Sequence, residues 1–463
     1  MAAAGVAALG ATVAMVEKNL LGGDCLNVGC VPSKCIIRSS RVAAEIHRAY
    51  QYGIEVPEGV KVDFPRVMER MRKLRARIAH HDSARRLKEL GVDVFLGNGR
   101  FASKSSVEVA GKILNFKKAL IATGARAISP PIKGLAETGY LTNESVFSLT
   151  ERPARLAVIG GGPLGCELAQ AFQRLGSSVT IIEILTKLLG PLDEDASKII
   201  HEMLQKDGVE ICLGASVKEI KKEGTQKVLS LTCNGQERTL KVDEILLGAG
   251  RAPNVEDLGL HTAGVDFDSK KGVNVNEKLQ TTNPNIFSAG DVCLKYKFTH
   301  MADASARIVI QNDLFSGRKK INDLTVPWCI YTDPEVAHVG LSEKEAEEKG
   351  IKTETIFVSL EDVDRAVLNS EENGFLKVVL KKRTDKIIGA TLVARHAGEI
   401  IGELALAISA NIGLKKLSTV IHPYPTQAEV IKKAADMYNR SRLTPFTSWI
   451  LGLWMKWSLY RRK

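Results

Sequence analysis

The clearest pattern of apolar and polar positions lies near the middle of the chain. Four apolar residues, Leu156–Ile159, predict a short strand, and a glycine-rich run, 160–165, follows at once. A stretch of helical character comes next, then a second apolar run, Val179–Ile182, that leads to the acidic Glu183. A strand, a glycine loop, a helix and a strand in this order predict a βαβ unit with parallel strands.

The glycine loop has the spacing of a dinucleotide-binding fingerprint. Gly160 suits the tight turn, Gly162 lets the backbone approach a pyrophosphate, and Gly165 lets the helix pack on the strand. The N-terminus of the helix then faces the phosphates. Glu183 is placed to accept hydrogen bonds from a ribose 2′-hydroxyl and to repel a 2′-phosphate. The pattern favours NADH over NADPH, although Lys187 lies close by and keeps NADPH open. A glycine turn without a ligand is the alternative.

The N-terminal residues repeat the second half of this unit. The segments Met1–Glu17 and Glu167–Glu183 align without gaps, and both read as helix, Leu-Gly turn, strand and acidic residue. The matching pairs are Ala3 and Ala169, Leu9 and Leu175, Gly10 and Gly176, Val13 and Val179, and Glu17 and Glu183. The first copy has no glycine loop before it, so we expect the chain to begin inside the first helix of a βαβ unit. A signal peptide fits less well, because the segment lacks a positive n-region.

Glu17 would therefore close a second nucleotide site. Two such sites in one chain indicate two cofactors. A protein that carries NADH and another dinucleotide is most simply a flavoenzyme in which FAD relays the electrons.

Two other stretches have helical spacing. The basic stretch Phe64–Leu90 carries apolar residues on one face, so its charges are expected on a solvated face; the apolar positions are Val67, Met71, Leu74 and Ile78. The C-terminal stretch 446–463 also has an apolar face, formed by Phe446, Trp449, Ile450, Leu453, Trp457 and Tyr460.

Two interpretations of this C-terminal stretch stay open. Its apolar face could pack on a partner subunit or on the protein's own surface. Alternatively, its tryptophans and the terminal cations Arg461, Arg462 and Lys463 could contact an anionic membrane. The stretch is short and interrupted for a membrane span.

Composition narrows the classes of protein. The chain has 463 residues, 44% hydrophobic and 25% charged, which excludes a disordered or fibrous protein and suggests about three domains. The net charge of +11 permits contact with nucleic acid or membrane but does not require it. We expect no nucleic-acid partner, since a basic surface also suits anionic dinucleotides. Eight cysteines are too few for a secreted disulfide scaffold of this length.

Two of the cysteines stand apart from the rest. Cys25 and Cys30 lie five positions apart in a glycine-bounded loop and can meet as a disulfide. Pro32 suits a helix start, and both a helix N-terminus and Lys34 would favour a thiolate. Zinc binding lacks two further ligands at matching spacing. A redox dithiol is preferred to a pair of inert buried cysteines, and the nucleotide motifs strengthen that preference.

The run 22–34, GGDCLNVGCVPSK, closely resembles the active-site motif of the class I pyridine nucleotide–disulfide oxidoreductases. That family includes lipoamide dehydrogenase, glutathione reductase and mercuric reductase. The resemblance extends over nearly the whole chain. Further matching segments are Ala122-Thr123-Gly124, Gly250-Arg251-Ala252-Pro253-Asn254, Asn285–Asp291 and Thr332–Glu335.

The resemblance implies roles for single residues. Cys30 would be the sulfur nearest the flavin, and Cys25 would be the thiol that meets the substrate. Lys34 would lie beside the flavin, paired with Glu167. Contacts with FAD are implied at Glu17, Asp291, Met301 and Ala302. Cofactor contacts are also implied at Thr123, Gly124, Gly250 and Arg251, and the glycine loop and its acidic residue, Gly160, Gly162, Gly165 and Glu183, would bind NADH or NADPH.

The sequence departs from the family pattern in two places. The first strand and its GxGxxG are missing, for which a truncated reading frame is preferred to a flavin-free protein. Disulfide-reducing members also end with His-x-His-Pro-Thr-x-x-Glu, whose second His is the acid–base catalyst. Here Tyr424 stands at that position, His422 at the earlier one and Glu429 at the end. A phenol, with a pKa of about 10, is a poor proton shuttle at neutral pH.

Mercuric reductases resemble this chain in having a tyrosine at the position of Tyr424. They also carry a C-terminal cysteine pair that delivers the metal, whereas no cysteine follows Cys329 here. The expected fold class is α/β, with two Rossmann-like, doubly wound dinucleotide-binding domains and an α+β dimerisation domain. The expected domains are 1–150 (FAD-binding, N-terminally truncated), 151–252 (NAD(P)-binding), 253–325 (FAD-binding, second part), 326–445 (dimerisation) and 446–463 (tail).

The expected function is an FAD-dependent oxidoreductase of the mercuric reductase-like branch. Electrons would pass from NAD(P)H through the flavin and the Cys25–Cys30 disulfide to a small-molecule or metal-ion acceptor. We expect a homodimer, because in the family the partner's C-terminal segment completes each active site, and a cytoplasmic location. The alternatives are lipoamide dehydrogenase or another disulfide reductase, and a flavin-less binding protein without catalytic activity.

Overall fold

The structure is a computed structural model that describes residues 1–233 and 235–461. The chain forms two compact units. The first consists of Met1–Pro191 and Leu204–Leu324, and the second of Leu192–Met203 and the residues from Thr325 onward.

Helices are spread along both units. Their bounds are α1 Ala2–Ala7, α2 Gly23–Val28, α3 Cys30–His47, α4 Phe64–Ala79, α5 Ala84–Glu89, α6 Leu135–Thr138, α7 Pro163–Arg174, α8 Glu194–Lys206, α9 Leu260–Ala263, α10 Thr299–Leu314, α11 Glu343–Glu348, α12 Asp364–Leu368, α13 Ala397–Ser409, α14 Leu414–Leu417, α15 Glu429–Ser441 and α16 Pro445–Tyr460.

The strands are mostly short. Their bounds are β1 Val13–Glu17, β2 Val92–Leu96, β3 Arg100–Ser103, β4 Ser106–Val109, β5 Lys112–Asn115, β6 Ala119–Ile121, β7 Ala125–Ala127, β8 Arg155–Ile159, β9 Ser178–Ile182, β10 Glu210–Cys212, β11 Ser216–Glu223, β12 Gln226–Cys233, β13 Gln236–Val242, β14 Glu244–Leu247, β15 Arg251–Pro253, β16 Phe267–Asp268, β17 Gly272–Val273, β18 Ile286–Ser288, β19 Pro327–Ile330, β20 Glu335–Gly340, β21 Thr353–Ser359, β22 Phe375–Lys381 and β23 Ile387–Ala394.

The βαβ unit predicted in the middle of the chain is present as β8, α7 and β9. These strands belong to a four-stranded parallel sheet of order β10-β9-β8-β14. Residues 156–159 of β8 are all buried, as expected for a parallel strand covered on both faces. The antiparallel sheet β11-β12-β13 shares an apolar core with this parallel sheet.

The N-terminal repeat also folds as its alignment predicts. Helix α1 leads through a turn at Gly10 into β1, which pairs in parallel with β2 and ends on Glu17. Further along the same unit, β6 pairs in parallel with β18, so Ile121 and Ser288 lie side by side. The carboxyl ends of these two strands therefore carry the segments that follow, Ala122-Thr123-Gly124 and Ala289-Gly290-Asp291.

The second unit contains a five-stranded antiparallel sheet of order β19-β20-β23-β22-β21. The helices α13 and α15 bury apolar residues in the same core as this sheet; among them are Ile401, Leu404, Val430, Ile431 and Ala434. Its mixture of an antiparallel sheet with helices is the α+β arrangement expected for residues 326–445.

The basic stretch Phe64–Leu90 is helical but not continuous. Helix α4 ends at Ala79, a single 3₁₀ turn follows, and α5 begins at Ala84 after Ser83, whose hydroxyl accepts the amide hydrogen of Arg86. The predicted apolar face is only partly buried, since Met71 is buried while Ile78 is 42% exposed.

The last helix, α16, has no buried residue, as is also true of the short helix α1, but most of its side chains are exposed. None of the residues in Pro445–Tyr460 is buried. Apolar side chains lie beyond the predicted face as well, at Leu451, Trp454, Met455 and Leu459. Across the two described ranges, no helix combines the length and the apolar character needed to span a membrane. The predicted cations Arg462 and Lys463 lie outside the described residues.

Candidate active site

The two cysteines of the dithiol lie on consecutive helices. Cys25 is in the short helix α2, and Cys30 is the first residue of the 18-residue helix α3. Gly29 separates the helices, and a Cβ at this glycine would stand 2.8 Å from the carbonyl oxygen of Asp24. A glycine is therefore required for the chain to bring the second sulfur back to the first. Cys30 is exposed and Cys25 is half-buried, both as free thiols.

The two thiols have opposite acidities. The hydrogen bond from Cys25 lowers the pKa of Cys30 to about 6, and Thr299 and Lys34 act in the same direction. The hydrogen bond with Cys30 raises the pKa of Cys25 well above its ordinary range, and burial adds to this effect. A helix N-terminus also favours a thiolate at Cys30. One sulfur of the pair is therefore a thiolate at neutral pH while the other keeps its proton.

A partly buried ion pair lies next to Cys30. The Nζ atom of Lys34 is 2.9 Å from Oε2 of Glu167, whose side chain is 6% exposed. Lys34 lies one turn after Cys30 on α3, and Glu167 lies on α7, in the first turns after the glycine loop. The pairing that the resemblance implied is present, and it connects the dithiol helix to the dinucleotide loop.

The segments assigned to the flavin also converge near the dithiol. Thr299, at the start of α10, has its hydroxyl 3.5 Å from the sulfur of Cys30. Met301 is buried in the same helix, next to Ala302. Arg251 forms an ion pair with Asp24, and its Nε atom lies 3.9 Å from Oδ2 of Asp291.

The polar groups of this region fit a flavin dinucleotide. Burial raises the pKa of Asp291, so hydroxyl donors such as those of a ribityl chain would stabilise its carboxylate. Within the described ranges the Nε atom of Arg251 is buried and makes no hydrogen bond. Lys34 would supply a cation close to a flavin ring, which gains negative charge when it is reduced.

The two short motifs on either side of the dinucleotide fingerprint meet in space. Strand β7 pairs antiparallel with β15. The Thr123 hydroxyl donates to the carbonyl oxygen of Asn254 at 2.7 Å, and the Asn254 amide donates to the carbonyl oxygen of Thr123 at 2.9 Å. Gly124 has φ +70°, and Gly250 has φ +109°, so both turns need glycine. Arg126 and Glu256 form an ion pair across the same junction.

The glycine loop forms the cradle expected for the second nucleotide. A Cβ at Gly160 would lie 2.6 Å from the carbonyl oxygen of Gly248, and one at Gly165 would lie 2.0 Å from that of Gly160. At Gly162 a Cβ would meet nothing closer than 3.8 Å, so this backbone is open to a phosphate. Helix α7 starts directly after Gly162 without a side-chain cap, which leaves its first N–H groups for an anion.

The acidic residues that end β1 and follow β9 both bind backbone amides. Glu183 is 8% exposed, and its carboxylate accepts hydrogen bonds from Gly161 and Leu185 at 2.5 and 2.8 Å. Glu17 accepts the amide hydrogen of Asn19 at 2.8 Å. Glu183 thus reaches back to the glycine loop. Lys187 follows Glu183 by four positions in the sequence.

Tyr424 and Glu429 lie in the second unit. Tyr424 is 70% exposed, and its hydroxyl donates a 2.8 Å hydrogen bond to Oδ2 of Asp364. This hydrogen bond raises the pKa of Tyr424 above its ordinary value. Glu429 begins α15, and its Oε2 atom is buried without a hydrogen bond among the described residues. His422, in contrast, is turned inward, with a 5% exposed side chain whose Nε2 lies 3.2 Å from Glu403.

The sequence did not indicate several residues of the site. Asp24, Thr299 and Asp364 contact Arg251, Cys30 and Tyr424 respectively. Asp24 lies inside the dithiol motif, so its position was a usable signal. Thr299 lies two residues before Met301, which the resemblance implied, whereas Asp364 comes from a segment without a motif. Only the fold brings either residue to its partner.

Known proteins resemble this chain over nearly its whole length. The profile of the pyridine nucleotide-disulphide oxidoreductases matches residues 1–306, and the dimerisation domain of the same proteins matches residues 326–435. The chain belongs to this family. The predicted α/β fold class, with its two dinucleotide-binding regions and its dimerisation domain, is confirmed.

Two kinds of enzyme stand out among the relatives. Mercuric reductase from Staphylococcus aureus is 36% identical over 93% of this chain and 79% of its own length. Dihydrolipoyl dehydrogenase from Geobacillus stearothermophilus is 32% identical over 94% of this chain and 93% of its own length. The protein is therefore an NAD(P)H-dependent flavoprotein oxidoreductase with FAD as its second cofactor. A non-catalytic protein without flavin is excluded as an interpretation.

Solved structures give the same result. The flavoprotein disulfide reductase RclA from Escherichia coli, described as HOCl-induced, has a TM-score of 0.84 at 27% identity, over 94% of this chain and 96% of its own. The structure of LpdA from Mycobacterium tuberculosis has a TM-score of 0.85 at 26% identity, with the same coverage. The family's dimerisation domain supports a homodimer.

Proposed function

We propose that the protein is a mercuric reductase-like enzyme that passes two electrons from NADH to a soft metal ion through the Cys25–Cys30 pair. The observation that carries this proposal is the dithiol itself, with a Cys30 pKa of about 6 at the start of α3 and the Lys34–Glu167 ion pair beside it. With Hg(II) as acceptor, NADH and Hg(II) would give NAD⁺, a proton and elemental mercury.

Each residue of the pair has a separate task in this proposal. The bound cofactors supply hydride transfer from the nicotinamide to the flavin. The Cys30 thiolate, next to Thr299 and Lys34, would be the sulfur on the flavin side. Cys25 stays protonated until the electron acceptor arrives. Its sulfur then loses the proton and binds the acceptor. Lys34 balances negative charge that develops on reduction, and the carboxylate of Glu167 holds the lysine in place.

We also propose which residues contact the two cofactors. The cradle of Gly160, Gly162 and Gly165 would take the pyrophosphate of NADH, and Glu183 would bind its ribose. Asp291 and Arg251 would bind the flavin dinucleotide, with Met301 and Ala302 against the ring, and Glu17 would hold its ribose. Thr123, Gly124 and Gly250 would shape the junction between the two nucleotide regions.

Tyr424 favours a metal ion over a disulfide as acceptor. The hydrogen bond to Asp364 raises the phenol pKa further from neutrality, so Tyr424 is unsuited to carry protons for thiol–disulfide exchange. His422 does not replace it, because its side chain is buried against Glu403. A disulfide reductase resembling the dihydrolipoyl dehydrogenases remains the second candidate, supported by relatives at 31–32% identity.

An acceptor screen tests the proposal. FAD-loaded protein is assayed with Hg(II), oxidised lipoamide, oxidised glutathione and a quinone, each with NADH and with NADPH. We expect the highest kcat/KM for Hg(II) with NADH, and loss of Hg(II) turnover in Cys25→Ala. Higher kcat/KM for either disulfide would contradict the metal assignment. Equal Hg(II) turnover in Cys25→Ala would contradict the role of the dithiol.

We also propose that helix α16 contacts an anionic membrane surface. None of its residues is buried, and apolar side chains surround most of the helix, so packing on one protein face would leave much of it exposed. Trp449, Trp454 and Trp457 are each more than half exposed, and the guanidinium of Arg461 lies 4.3 Å from the ring centroid of Trp457. Tryptophans beside cations suit the headgroup region of an anionic bilayer.

Co-sedimentation with vesicles decides between this contact and packing on a partner subunit. The full chain should sediment with phosphatidylserine-containing vesicles but not with phosphatidylcholine vesicles. Substituting serine for both Trp449 and Trp457 should release it, whereas Tyr52→Ser, which removes another exposed aromatic residue, should not. Protein that stays in the supernatant with anionic vesicles would contradict the proposal. A change of oligomeric state in the double variant would instead assign the helix to the dimer.

A further inference from the structure

A second pair of thiols lies in the first unit, among elements that hold no residue of the dithiol motif. Cys212 ends β10 and Cys233 ends β12, and Cys233 packs against the apolar cluster that contains Cys212. Both sulfurs belong to one apolar cluster between the parallel sheet and the antiparallel sheet. Cys212 is 2% exposed, whereas Cys233 is half-buried, and both are free cysteines.

The surroundings of the pair give the two sulfurs different acidity and different access to solvent. Arg238 donates to the sulfur of Cys212 at 3.6 Å and to Oε1 of Glu210 at 2.5 Å. Burial raises the pKa of Cys212 to about 12, and the hydrogen bond with Cys233 adds to this. Cys212 is therefore a neutral thiol under ordinary conditions. Cys233 is the sulfur that a reagent in solution reaches first.

We propose that Cys212 and Cys233 form a second oxidisable dithiol, a modification site that small disulfides convert to an intramolecular disulfide. The Cys233 thiolate attacks one sulfur of the small disulfide and releases the other half as a thiolate. Cys212 then loses its proton to solvent and attacks the Cys233 sulfur of the mixed disulfide, which releases the second half. Two protein thiols and one small disulfide thus give one protein disulfide and two small thiols.

The bond would stabilise the nucleotide-binding region around Glu183. It would tie β10 to β12 and close the loop 212–233, which reduces the conformational freedom of the unfolded chain. The carbonyl oxygen of Cys212 accepts the amide hydrogen of Glu183 at 2.8 Å, so the bond would lie beside the carboxylate assigned to the ribose. Oxidation is therefore expected to raise the melting temperature of the first unit.

Peptide mapping tests the proposal on the full chain. The protein is incubated with or without oxidised glutathione, denatured in the presence of N-ethylmaleimide so that every remaining thiol is labelled, and cut with trypsin. Oxidation should join peptides 207–218 and 228–238, with the loss of two hydrogen atoms, in the treated sample alone. The peptide 19–34, which holds Cys25 and Cys30, reports in the same sample whether the oxidant acted.

Two outcomes would overturn the proposal. One is an oxidised peptide 19–34 together with separate, N-ethylmaleimide-labelled peptides 207–218 and 228–238. The other is glutathione that stays bound to Cys233, since the two sulfurs would then be unable to meet. Calorimetry adds a second measurement: oxidation should raise the melting temperature of the wild type and of Cys329→Ala, which lacks another half-buried cysteine, but not of Cys233→Ala. A rise of the same size in all three proteins would also contradict the proposal.

Discussion

At Cys30 a sulfur meets the N-terminus of a helix, a lysine and a second thiol. These neighbours give its thiol a pKa of about 6, so the thiolate is present above that pH and is lost as the pH falls through it. Cys25, whose pKa is raised, remains protonated over the same range. The difference orders the reactivity of two chemically identical side chains.

We predict that alkylation of Cys30 by iodoacetamide follows a titration with a midpoint near pH 6. Lys34→Met should move this midpoint upward, because the lysine charge favours the thiolate. Peptide mass spectrometry after short pulses between pH 4 and pH 10 provides the measurement. Lys73→Met serves as the control, since it removes an exposed lysine of α4. A midpoint near that of an ordinary cysteine would show that Cys30 is not activated.

The absorbance of the FAD-loaded protein offers a second prediction for the pair. Only a Cys30 thiolate can give a charge-transfer band with oxidised flavin, so the band should persist in Cys25→Ala and vanish in Cys30→Ala. Both variants should lose acceptor turnover while NADH still reduces the flavin. Full turnover in both variants would show that the dithiol is not catalytic.

In our proposal, Tyr424 is the residue that favours a metal ion over a disulfide as the electron acceptor. Tyr424→His introduces a base with a pKa of about 6.5, so we expect disulfide reductase activity to rise by about tenfold or more. Tyr424→Phe should leave disulfide turnover nearly unchanged and should weaken Hg(II) turnover. Steady-state rates with Hg(II) and oxidised lipoamide provide the comparison. Equal Hg(II) turnover in the wild type and Tyr424→Phe would remove this reason for preferring a metal ion.

Among the elements, the glycine loop before α7 shows how spacing becomes structure. Gly165 is needed for packing, since a Cβ there would lie 2.0 Å from the carbonyl oxygen of Gly160. Gly162 has an ordinary φ of −76° and an open surface, so the fold itself tolerates a side chain at this position. The two glycines of one motif therefore serve different purposes.

This difference predicts distinct effects of two alanine substitutions. Gly162→Ala should keep the melting temperature of the wild type and raise the KM for NADH about tenfold or more, because the methyl group blocks the pyrophosphate. Gly165→Ala should destabilise the protein by about 1–3 kcal/mol through overpacking. Thermal unfolding and steady-state kinetics of both variants test this. A normal KM in a well-folded Gly162→Ala protein would place the pyrophosphate elsewhere.

At the scale of the whole molecule, the exposed residues around Tyr424 in the dimerisation domain indicate where a second subunit would bind. Ile421 is 93% exposed and Tyr424 is 70% exposed, while His422 between them is turned inward. An apolar side chain so exposed in a domain that supports a homodimer is expected to be covered by the second subunit.

We predict that Ile421→Glu weakens the dimer by about tenfold or more, because a carboxylate would be buried against apolar surface. Acceptor turnover should fall with it, and NADH reduction of the flavin should remain. Ile113→Glu is a matched control, since Ile113 is a half-exposed isoleucine in β5. Sedimentation velocity measures the subunit equilibrium. An unchanged dimer in Ile421→Glu would place the interface away from this segment.

The sequence by itself determined the parts of the protein in which local rules are strict. The βαβ unit around 156–183, the repeat at the N-terminus and the pairing of Cys25 with Cys30 follow from glycine positions, apolar runs and spacing. The basic stretch 64–90 is helical, as its spacing predicted, but Ser83 caps a new helix after a break that the apolar spacing does not reveal.

Only the tertiary structure decided which distant groups meet. Thr299 and Asp364 reach Cys30 and Tyr424 from residues distant in the sequence, and Cys212 packs near Cys233 because two different sheets share one core. The helical spacing of α16 left packing and membrane contact both open, and it did not reveal that none of the residues of this helix is buried. The spacing of residues within a short stretch determines the backbone of a turn or helix. Contacts between elements depend instead on how their faces pack, and a short stretch of sequence does not specify this packing.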